Sequence, residues 1–224
     1  AVLGPSPFIA EPTPAQSKEA PIEAEAVLVT VGRAPNTSGL GLAEAGIAVD
    51  GRGWIQADEY MATSLPGVYA VGDVLGPSKI MLAHVAAVEG LCAVRNCLGQ
   101  DARMDYAVVP SGIFTSPEVG CVGLTEAQAA AAGHEVRVAT FQMRELGKAQ
   151  AMNELPGMFK LVADAATGKV LGAHIAGAHA TDLIAEAALA LRMGASVRDI
   201  ADTIHAHPTL AEGLYEAALS LADH

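Results

Sequence analysis

One stretch of the sequence limits the fold more than any other: two β-forming runs joined by a turn and followed at once by an apolar helix. Phe159–Ala163 and Val170–Ile175 are short and rich in apolar residues, and the segment between them, Asp164–Lys169, has the composition of a hairpin turn. Ala180–Met193 is strongly apolar, contains no proline and is followed by Gly194, which predicts a helix that ends there. The pattern predicts an α+β fold, with a mostly antiparallel sheet packed by helices.

The rest of the second half of the chain agrees with this pattern. Thr125 is a plausible helix cap, and Gly133 is a plausible stop. The further predicted strands are Ser111–Phe114, Val119–Val122 and Glu135–Gln142, and the further predicted helices are Thr125–Ala132, Ser196–Thr203 and one that begins at Thr209 or Glu212 and runs towards Leu221.

The first half of the chain has a different character. Prolines punctuate residues 1–25, which predicts a linker or a disordered stub. Beyond them, Ala26–Gly32 and Val68–Asp73 are predicted as buried strands, Trp54–Ala57 as a short strand and Ala83–Leu98 as a helix. We expect a domain boundary close to residues 101–106.

Composition excludes several classes of function. A formal net charge of -12 disfavours nucleic acid and anionic membrane surfaces as partners. No apolar run reaches the roughly 18 residues of a membrane helix. Three cysteines do not make a disulfide framework, which favours a reducing compartment, and we expect the cytoplasm. No metal site is predicted.

The most informative motif is the string Ile204-His205-Ala206-His207-Pro208-Thr209-Leu210-Ala211-Glu212. An imidazole can take and return a proton near neutral pH. A nearby carboxylate can fix which ring nitrogen carries the proton and can stabilise the imidazolium. His207 and Glu212 are separated by a proline-containing turn into a helix, so their side chains can meet. A surface turn without chemistry is the alternative reading of two histidines beside a proline.

A second motif ends the predicted strand Val68–Asp73. A glycine at position 72 allows another group to approach closely, and Asp73 can accept hydrogen bonds from the hydroxyls of a sugar or sugar alcohol. The alternative is a strand end with an ordinary aspartate turn. The sequence Met81-Leu82-Ala83-His84 then begins a helix, whose amino terminus offers free N–H groups and a positive dipole end.

Together these strings resemble the dihydrolipoamide dehydrogenases of the class I pyridine nucleotide-disulfide oxidoreductase family, specifically their carboxyl-terminal half. The resemblance covers roughly residues 26–221. It rests on the His-x-His-Pro-Thr-Leu-x-Glu string, on Gly32-Arg33-Ala34-Pro35-Asn36, on the eleven residues from Thr63 to Asp73, and on the stretches around Phe114–Gly120 and Gly172–Gly177.

The resemblance implies roles for individual residues. His207 would be the acid-base catalyst and Glu212 its partner, while Pro208 would place backbone near the flavin of the other subunit. Asp73, after Gly72, would bind the ribityl chain of FAD, and Gly32 would lie beside the nicotinamide nucleotide. The backbone of Met81, Leu82, Ala83 and His84 would face the flavin pyrimidine edge; for His84, a helix-cap or packing role is an equal alternative.

The resemblance also implies domains, cofactors and partners. Residues 26–106 would be the carboxyl-terminal part of an FAD/NAD-binding α/β region, and residues 107–224 the dimerisation domain. The parent enzyme would oxidise dihydrolipoamide with NAD through FAD and a redox disulfide, as a homodimer that serves the lipoyl-bearing subunit of a 2-oxoacid dehydrogenase complex. Alternatives are a reductase for another disulfide or a metal ion, and a non-catalytic dimerisation module.

Three features of such an enzyme are missing from this sequence. It has no Gly-x-Gly-x-x-Gly turn for FAD, no second one for NAD, and no redox disulfide in the expected context. Cys92 and Cys97 have the Cys-x4-Cys spacing, but on a helix they lie ~140° apart around the axis, too far to bond. Both are therefore predicted as core residues, and the chain alone is expected to be inactive.

Overall fold

The computed structural model describes residues 2–3, 20–21 and 23–222. Most of the linker predicted for residues 1–25 lies outside this range. The strands are β1 (Val2–Leu3), β2 (Ala20–Pro21), β3 (Ser111–Ile113), β4 (Glu118–Gly123), β5 (Val136–Gln142), β6 (Met158–Asp164) and β7 (Val170–Gly177). The α-helices are α1 (Ala83–Cys97), α2 (Glu126–Ala131), α3 (Gly147–Met152), α4 (Ala180–Met193), α5 (Val197–Ala201) and α6 (Glu212–Ala222), and short 3-10 helices span Gly72–Ser78 and Met143–Glu145.

The predicted antiparallel sheet is confirmed. It has five strands in the order β3-β4-β7-β6-β5, and every neighbouring pair is antiparallel. The β6–β7 hairpin turns at Asp164, whose Oδ1 accepts the backbone N–H groups of Ala166 and Thr167. Gly168 completes the turn with a φ of 69°, a conformation that favours glycine.

Helices α4 and α6 pack against the sheet, α5 packs against α6, and the three helices enclose the main core. This core includes Phe159, Leu161 and Ile175 from the strands and Ile184 and Leu214 from the helices, all of them buried. At Gly120 the absence of a side chain is required, because a Cβ there would overlap the backbone carbonyl of Ala180 at the start of α4. The sheet and the helices therefore make one α+β unit around one core.

The first half of the described chain contains little regular structure, and three strand predictions there are wrong. Residues 26–32 form no strand, and the side chains of Leu28 and Val31 are 86% and 93% exposed. A strand needs a neighbour for its N–H and C=O groups, and the structure places none beside these residues in the part of the chain it describes. The other two segments each contribute only an isolated bridge, Ala62 to Tyr69 and Val49 to Ile55.

Helix α1 was predicted correctly and covers a second, smaller core. Met61, Ala70, Leu75, Cys92 and Ala93 are its buried members. The prediction that both helix cysteines are core residues is right for Cys92 and wrong for Cys97, which is exposed because it faces away from this cluster. Both are free thiols.

The described residues contain neither a single membrane-spanning helix nor a cluster of metal ligands. No single helix there has the length and apolar character to cross a membrane, although the 3-10 helix Gly72–Ser78 and α1 would pass that test as a pair bent by 106°. Over the same residues, no group of three or more His, Cys, Asp or Glu side chains could hold a metal ion.

Candidate active site

The structure brings together the histidine and the glutamate that the sequence motif singled out. Nδ1 of His207 lies 2.8 Å from Oε1 of Glu212, the first residue of α6. The other carboxylate oxygen, Oε2, accepts the backbone N–H of Thr209 at 2.8 Å. Glu212 is only 20% exposed, whereas 75% of the His207 side chain is exposed. The carboxylate is thus held firmly, and the imidazole is presented outward.

The electrostatics of this pair define a direction for proton transfer. The backbone N–H of Thr209, and then the His207 ring, lower the pKa of Glu212 below its usual value. An ionised carboxylate only accepts hydrogen bonds, so Nδ1 of His207 must carry the proton and donate it. The lone pair of a neutral His207 then resides on Nε2, which has no hydrogen-bond partner among residues 23–222. His207 can therefore accept a proton at Nε2.

The turn between α5 and α6 owes its shape to contacts within the motif. The Thr209 hydroxyl donates to the carbonyl of Ala206 at 2.7 Å, and the peptide bond between His207 and Pro208 is cis. Pro208 has no N–H group that would need an acceptor. The turn borders an open cavity of about 470 Å³, lined by Ala201, Asp202, Thr203, Ile204, His205, His207, Glu212 and Tyr215.

One contact at this turn was missed by sequence reasoning. His205 is bonded through Nε2 to Glu186 of α4 at 2.8 Å, and its ring lies 5.3 Å from that of Tyr215. The repeated histidine of the motif was the available signal for His205. For Glu186, which is 19 positions away on another helix, the sequence offered no signal.

The second predicted group of site residues lines different cavities. Asp73 is 41% exposed and lies 3.2 Å from Nη1 of Arg33. The N–H group of Gly72 donates to Oε2 of the buried Glu89 at 2.6 Å, and the Tyr106 hydroxyl donates to its Oε1 at 2.7 Å. Burial and this glutamate raise the pKa of Tyr106. Glu89 therefore fixes the backbone that presents Asp73, a role that sequence reasoning did not assign.

Glycine is required at position 72 because its φ is 77° and a Cβ would lie 3.2 Å from that of Ala86. Gly32 lies in a neighbouring cavity of about 530 Å³, together with Arg33, Trp54 and Met81. This cavity shares no residue with the one beside His207. The sequence-predicted residues thus form two groups, one around Asp73 and one around His207.

The amino terminus of α1 belongs to the first group. Met81 and Leu82 precede the helix, Leu82 is extended, and no side chain caps the first turn. The N–H group of Ala86 donates to the carbonyl of Leu82, the residue just before the helix. Nε2 of His84 lies 2.8 Å from the carbonyl of Pro110, to which it donates. This contact supports the packing role of His84.

These residues suit the cofactor that the sequence resemblance implies. Asp73 remains partly exposed and can accept hydrogen bonds from hydroxyl groups, as a ribityl chain would offer. The uncapped amino terminus of α1 can donate N–H groups to an electron-rich edge. The Gly-rich turn that would bind the pyrophosphate of FAD is not in this chain.

Comparison with known protein families agrees with both halves of the described chain. Residues 109–218 match the dimerisation domain of the pyridine nucleotide-disulphide oxidoreductases, and residues 10–90 match the pyridine nucleotide-disulphide oxidoreductase family itself. The two matches together span most of the chain.

Similar proteins of known sequence point to the same group. A dihydrolipoyl dehydrogenase of Thermus scotoductus is 50% identical over 200 residues, which are 89% of this chain and 43% of that protein. One from Bacillus subtilis is 44% identical over 204 residues, 91% of this chain and 43% of that protein. The chain thus spans less than half the length of these relatives.

Two solved structures illustrate the similarity of fold. LpdA from Mycobacterium tuberculosis aligns with a TM-score of 0.79 and 31% identity, over 86% of this chain and 42% of that one. The HOCl-induced flavoprotein disulfide reductase RclA from Escherichia coli aligns with a TM-score of 0.78 and 28% identity, over 84% and 43%. The fold, the motifs and these matches show that the chain belongs to the pyridine nucleotide-disulphide oxidoreductase family.

Proposed function

We propose that this chain is the carboxyl-terminal part of an oxidoreductase that oxidises dihydrolipoamide with NAD, through FAD and a redox disulfide that lies outside the chain. The observation that carries the proposal is the hydrogen bond between His207 and the ionised Glu212, which leaves Nε2 of an exposed imidazole free to accept a proton. Its relatives named dihydrolipoyl dehydrogenase support the choice of substrate.

The chemistry assigned to this chain is a single proton transfer. A thiol of dihydrolipoamide gives its proton to Nε2 of His207, and the S–H electron pair stays on sulfur as a thiolate, the reactive form for disulfide exchange. The imidazolium that forms is stabilised by the Glu212 carboxylate on the opposite side of the ring. Return of the proton from Nε2 regenerates the neutral imidazole.

The residues around Asp73 have a holding role in this proposal. FAD, when bound, supplies a two-electron acceptor between the dithiol and NAD. Asp73 would accept hydrogen bonds from its ribityl hydroxyls, the α1 amino terminus with Met81, Leu82 and Ala83 would face its ring, and Gly32 would leave room for the nicotinamide nucleotide.

The proposal extends to domains and partners. Residues 26–106 would complete the nucleotide-binding region, and residues 107–224 would form the interface of a cytoplasmic homodimer, in which Pro208 lies near the flavin of the other subunit. Large apolar side chains exposed in the second part supply apolar area for such a contact; they are those of Ile113, Phe114, Leu155, Leu189, Met193 and Ile204. The lipoyl-bearing subunit of a 2-oxoacid dehydrogenase complex would deliver the substrate.

One observation favours a second candidate function. The chain contains none of the Gly-rich nucleotide turns and no disulfide, since all three cysteines are free. A dimerisation module without chemistry of its own would need neither. The presence of the ordered His207–Glu212 pair favours the enzyme.

A chimaera tests the proposal directly. The missing amino-terminal part of the Thermus scotoductus dihydrolipoyl dehydrogenase would be fused ahead of this chain, and dihydrolipoamide-dependent reduction of NAD would be measured for the fusion and for its His207→Gln variant. We expect turnover in the first and a loss of roughly 10²–10⁴-fold in the second.

Two results would overturn parts of the proposal. A chimaera that binds FAD and dimerises without oxidising dihydrolipoamide would contradict the substrate. An active chimaera whose His207→Gln variant is equally fast would contradict the acid-base role of His207 and would favour the dimerisation module.

A further inference from the structure

The first histidine of the turn between α5 and α6, His205, lies between two hydrogen-bond acceptors. Its Nδ1 is 2.9 Å from the backbone carbonyl of Thr203, and its Nε2 is 2.8 Å from Oε1 of Glu186. Only 7% of the side chain is exposed. Both ring nitrogens therefore have an acceptor at hydrogen-bond distance inside the protein.

The contact with the Thr203 carbonyl determines the protonation of Nδ1 of His205. A carbonyl oxygen can only accept, so Nδ1 of His205 must carry a hydrogen. A neutral ring would then offer a lone pair at Nε2, which would face a carboxylate oxygen, and two acceptors at 2.8 Å repel each other. The contact with Glu186 is favourable only if a second proton lies between Nε2 and the carboxylate.

That second proton belongs on the ring. Imidazole is more basic than a carboxylate in water, and Glu186 keeps 35% of its side chain exposed, so water can solvate its charge. The pair is then an imidazolium bonded to a carboxylate, with no net charge. The other ionisable groups around His205 are Glu212 and Tyr215 of α6 and, on the shared cavity, Asp202 and His207.

The two histidines of the motif thus differ in their protons. His207 has one acceptor, Glu212, and keeps a free Nε2, while His205 has two acceptors and no free nitrogen. His205 also connects the turn to α4 through Glu186 and lies against Tyr215 of α6. Because His207 is two residues away, the helices on either side hold its backbone through His205.

We propose that His205 is a positioning residue that carries a proton on both ring nitrogens, ties the turn to α4 through Glu186, and so keeps His207 hydrogen-bonded to Glu212. The consequence for catalysis rests on the function proposed above. The protonation of His205 and its hydrogen bond to Glu186 do not depend on that function. They can be measured on this chain without substrate or cofactor.

Nitrogen-15 NMR of the histidine rings at neutral pH is the test. In the unmodified chain we expect both His205 nitrogens to show the signals of an imidazolium, and His207 to be protonated on Nδ1 alone. Glu186→Gln removes the charge but can still bond to Nε2 through its amide, so the fold should persist while His205 loses one proton. A singly protonated His205 in the unmodified chain, or no change in the variant, would overturn the proposed protonation.

A pair of His205 variants tests the positioning. His205→Ala breaks both contacts, and we expect the ratio of Nδ1-protonated to Nε2-protonated His207 to fall about threefold to tenfold. His205→Gln keeps a donor for Glu186 and should restore most of that ratio. An unchanged His207 in a folded His205→Ala chain would refute the positioning role, and the Glu186→Gln measurement remains decisive for the proton count if the alanine variant does not fold.

Discussion

Gly213, the residue that follows Glu212, lies directly against the ring of Phe159, the second residue of β6. A Cβ at this position would overlap the ring, and Phe159 is fully buried and cannot move aside. The missing side chain therefore lets the first turn of α6 settle onto the sheet. The contact between Gly213 and Phe159 thereby fixes the position of the neighbouring Glu212, whose carboxylate orients His207.

Substitution of Gly213 by alanine should destabilise the fold although alanine favours helix. We expect a loss of about 1–3 kcal/mol in the free energy of unfolding, from overpacking against Phe159, measured by urea denaturation. Gly90→Ala in α1 is the matched control, because a Cβ there meets nothing within 4 Å, and it should be neutral or stabilising by up to about 1 kcal/mol. Equal effects of the two substitutions would contradict the close packing.

The β6–β7 hairpin should make stability depend on pH in the acid range. Hydrogen bonds from His134 and then Thr167 lower the pKa of Asp164 from 3.8 to about 2. A carboxyl group whose pKa is lower in the folded state than in the unfolded state stabilises the fold fully at a pH above its unfolded-state pKa. That contribution disappears as the pH falls from about 4 towards 2. Asp164→Asn should remove this dependence of the free energy of unfolding on pH between about 4 and 2, and Thr167→Val should reduce it. An Asp164→Asn chain with the slope of the unmodified protein would refute the assignment.

Loss of the Glu212 charge should impair catalysis in the active chimaera without removing His207. Glu212→Gln still accepts or donates at His207, so either ring tautomer is satisfied and the imidazolium loses its counter-charge. We expect turnover to fall roughly 10²–10⁴-fold, with KM for NAD unchanged, since the nucleotide site does not include this residue. A large rise in that KM would indicate a general disturbance of the fold.

The three cysteines should differ in their reactivity, and none should be disulfide-bonded. Cys97 is exposed on α1, whereas burial raises the pKa of the Cys92 thiol and also that of Cys121. A thiol reagent at neutral pH should therefore modify one group rapidly and two slowly, and Cys97→Ser should abolish the fast phase. A fast phase that persists in this variant would show that one of the other thiols is more accessible than the structure indicates.

The chain alone should not retain flavin. After incubation with excess FAD and desalting, we expect a colourless protein that does not oxidise dihydrolipoamide, because the pyrophosphate-binding turn is not in the sequence. Absorption spectroscopy with light scattering would measure cofactor and mass together. A stable flavin band would show that the residues around Asp73 suffice for binding.

Most of the second half of the chain could be predicted because local signals and tertiary packing agree there. Helix α4 was predicted with its observed bounds, since Gly194 adopts the left-handed conformation that ends it. Helix α3 was missed: no side chain caps it, and its short sequence of six residues contains one fully buried side chain, that of Ala149. Its stability comes from packing, which the local sequence does not reveal.

The site shows the same division. His207 and Glu212 were found because their five-residue separation across a turn is visible in the sequence. His205 and Glu186 are joined only by the packing of the turn against α4, so no spacing rule predicts them. At residues 26–32 the local sequence has the apolar pattern of a strand, but the described part of the chain contains no neighbouring strand with which these residues could pair. The predicted strand is therefore not formed.

The order of the elements along the chain has a consequence for biosynthesis. All five strands of the sheet precede the turn and α6, and α6 reaches its place by contact with β5 and β6. A chain emerging from the ribosome amino terminus first can therefore begin to assemble the sheet well before His207 meets Glu212. The hydrogen bond that orients the His207 ring therefore forms late, after the strands of the sheet have been synthesised. A chain that ends before α6 lacks Glu212 and cannot form it.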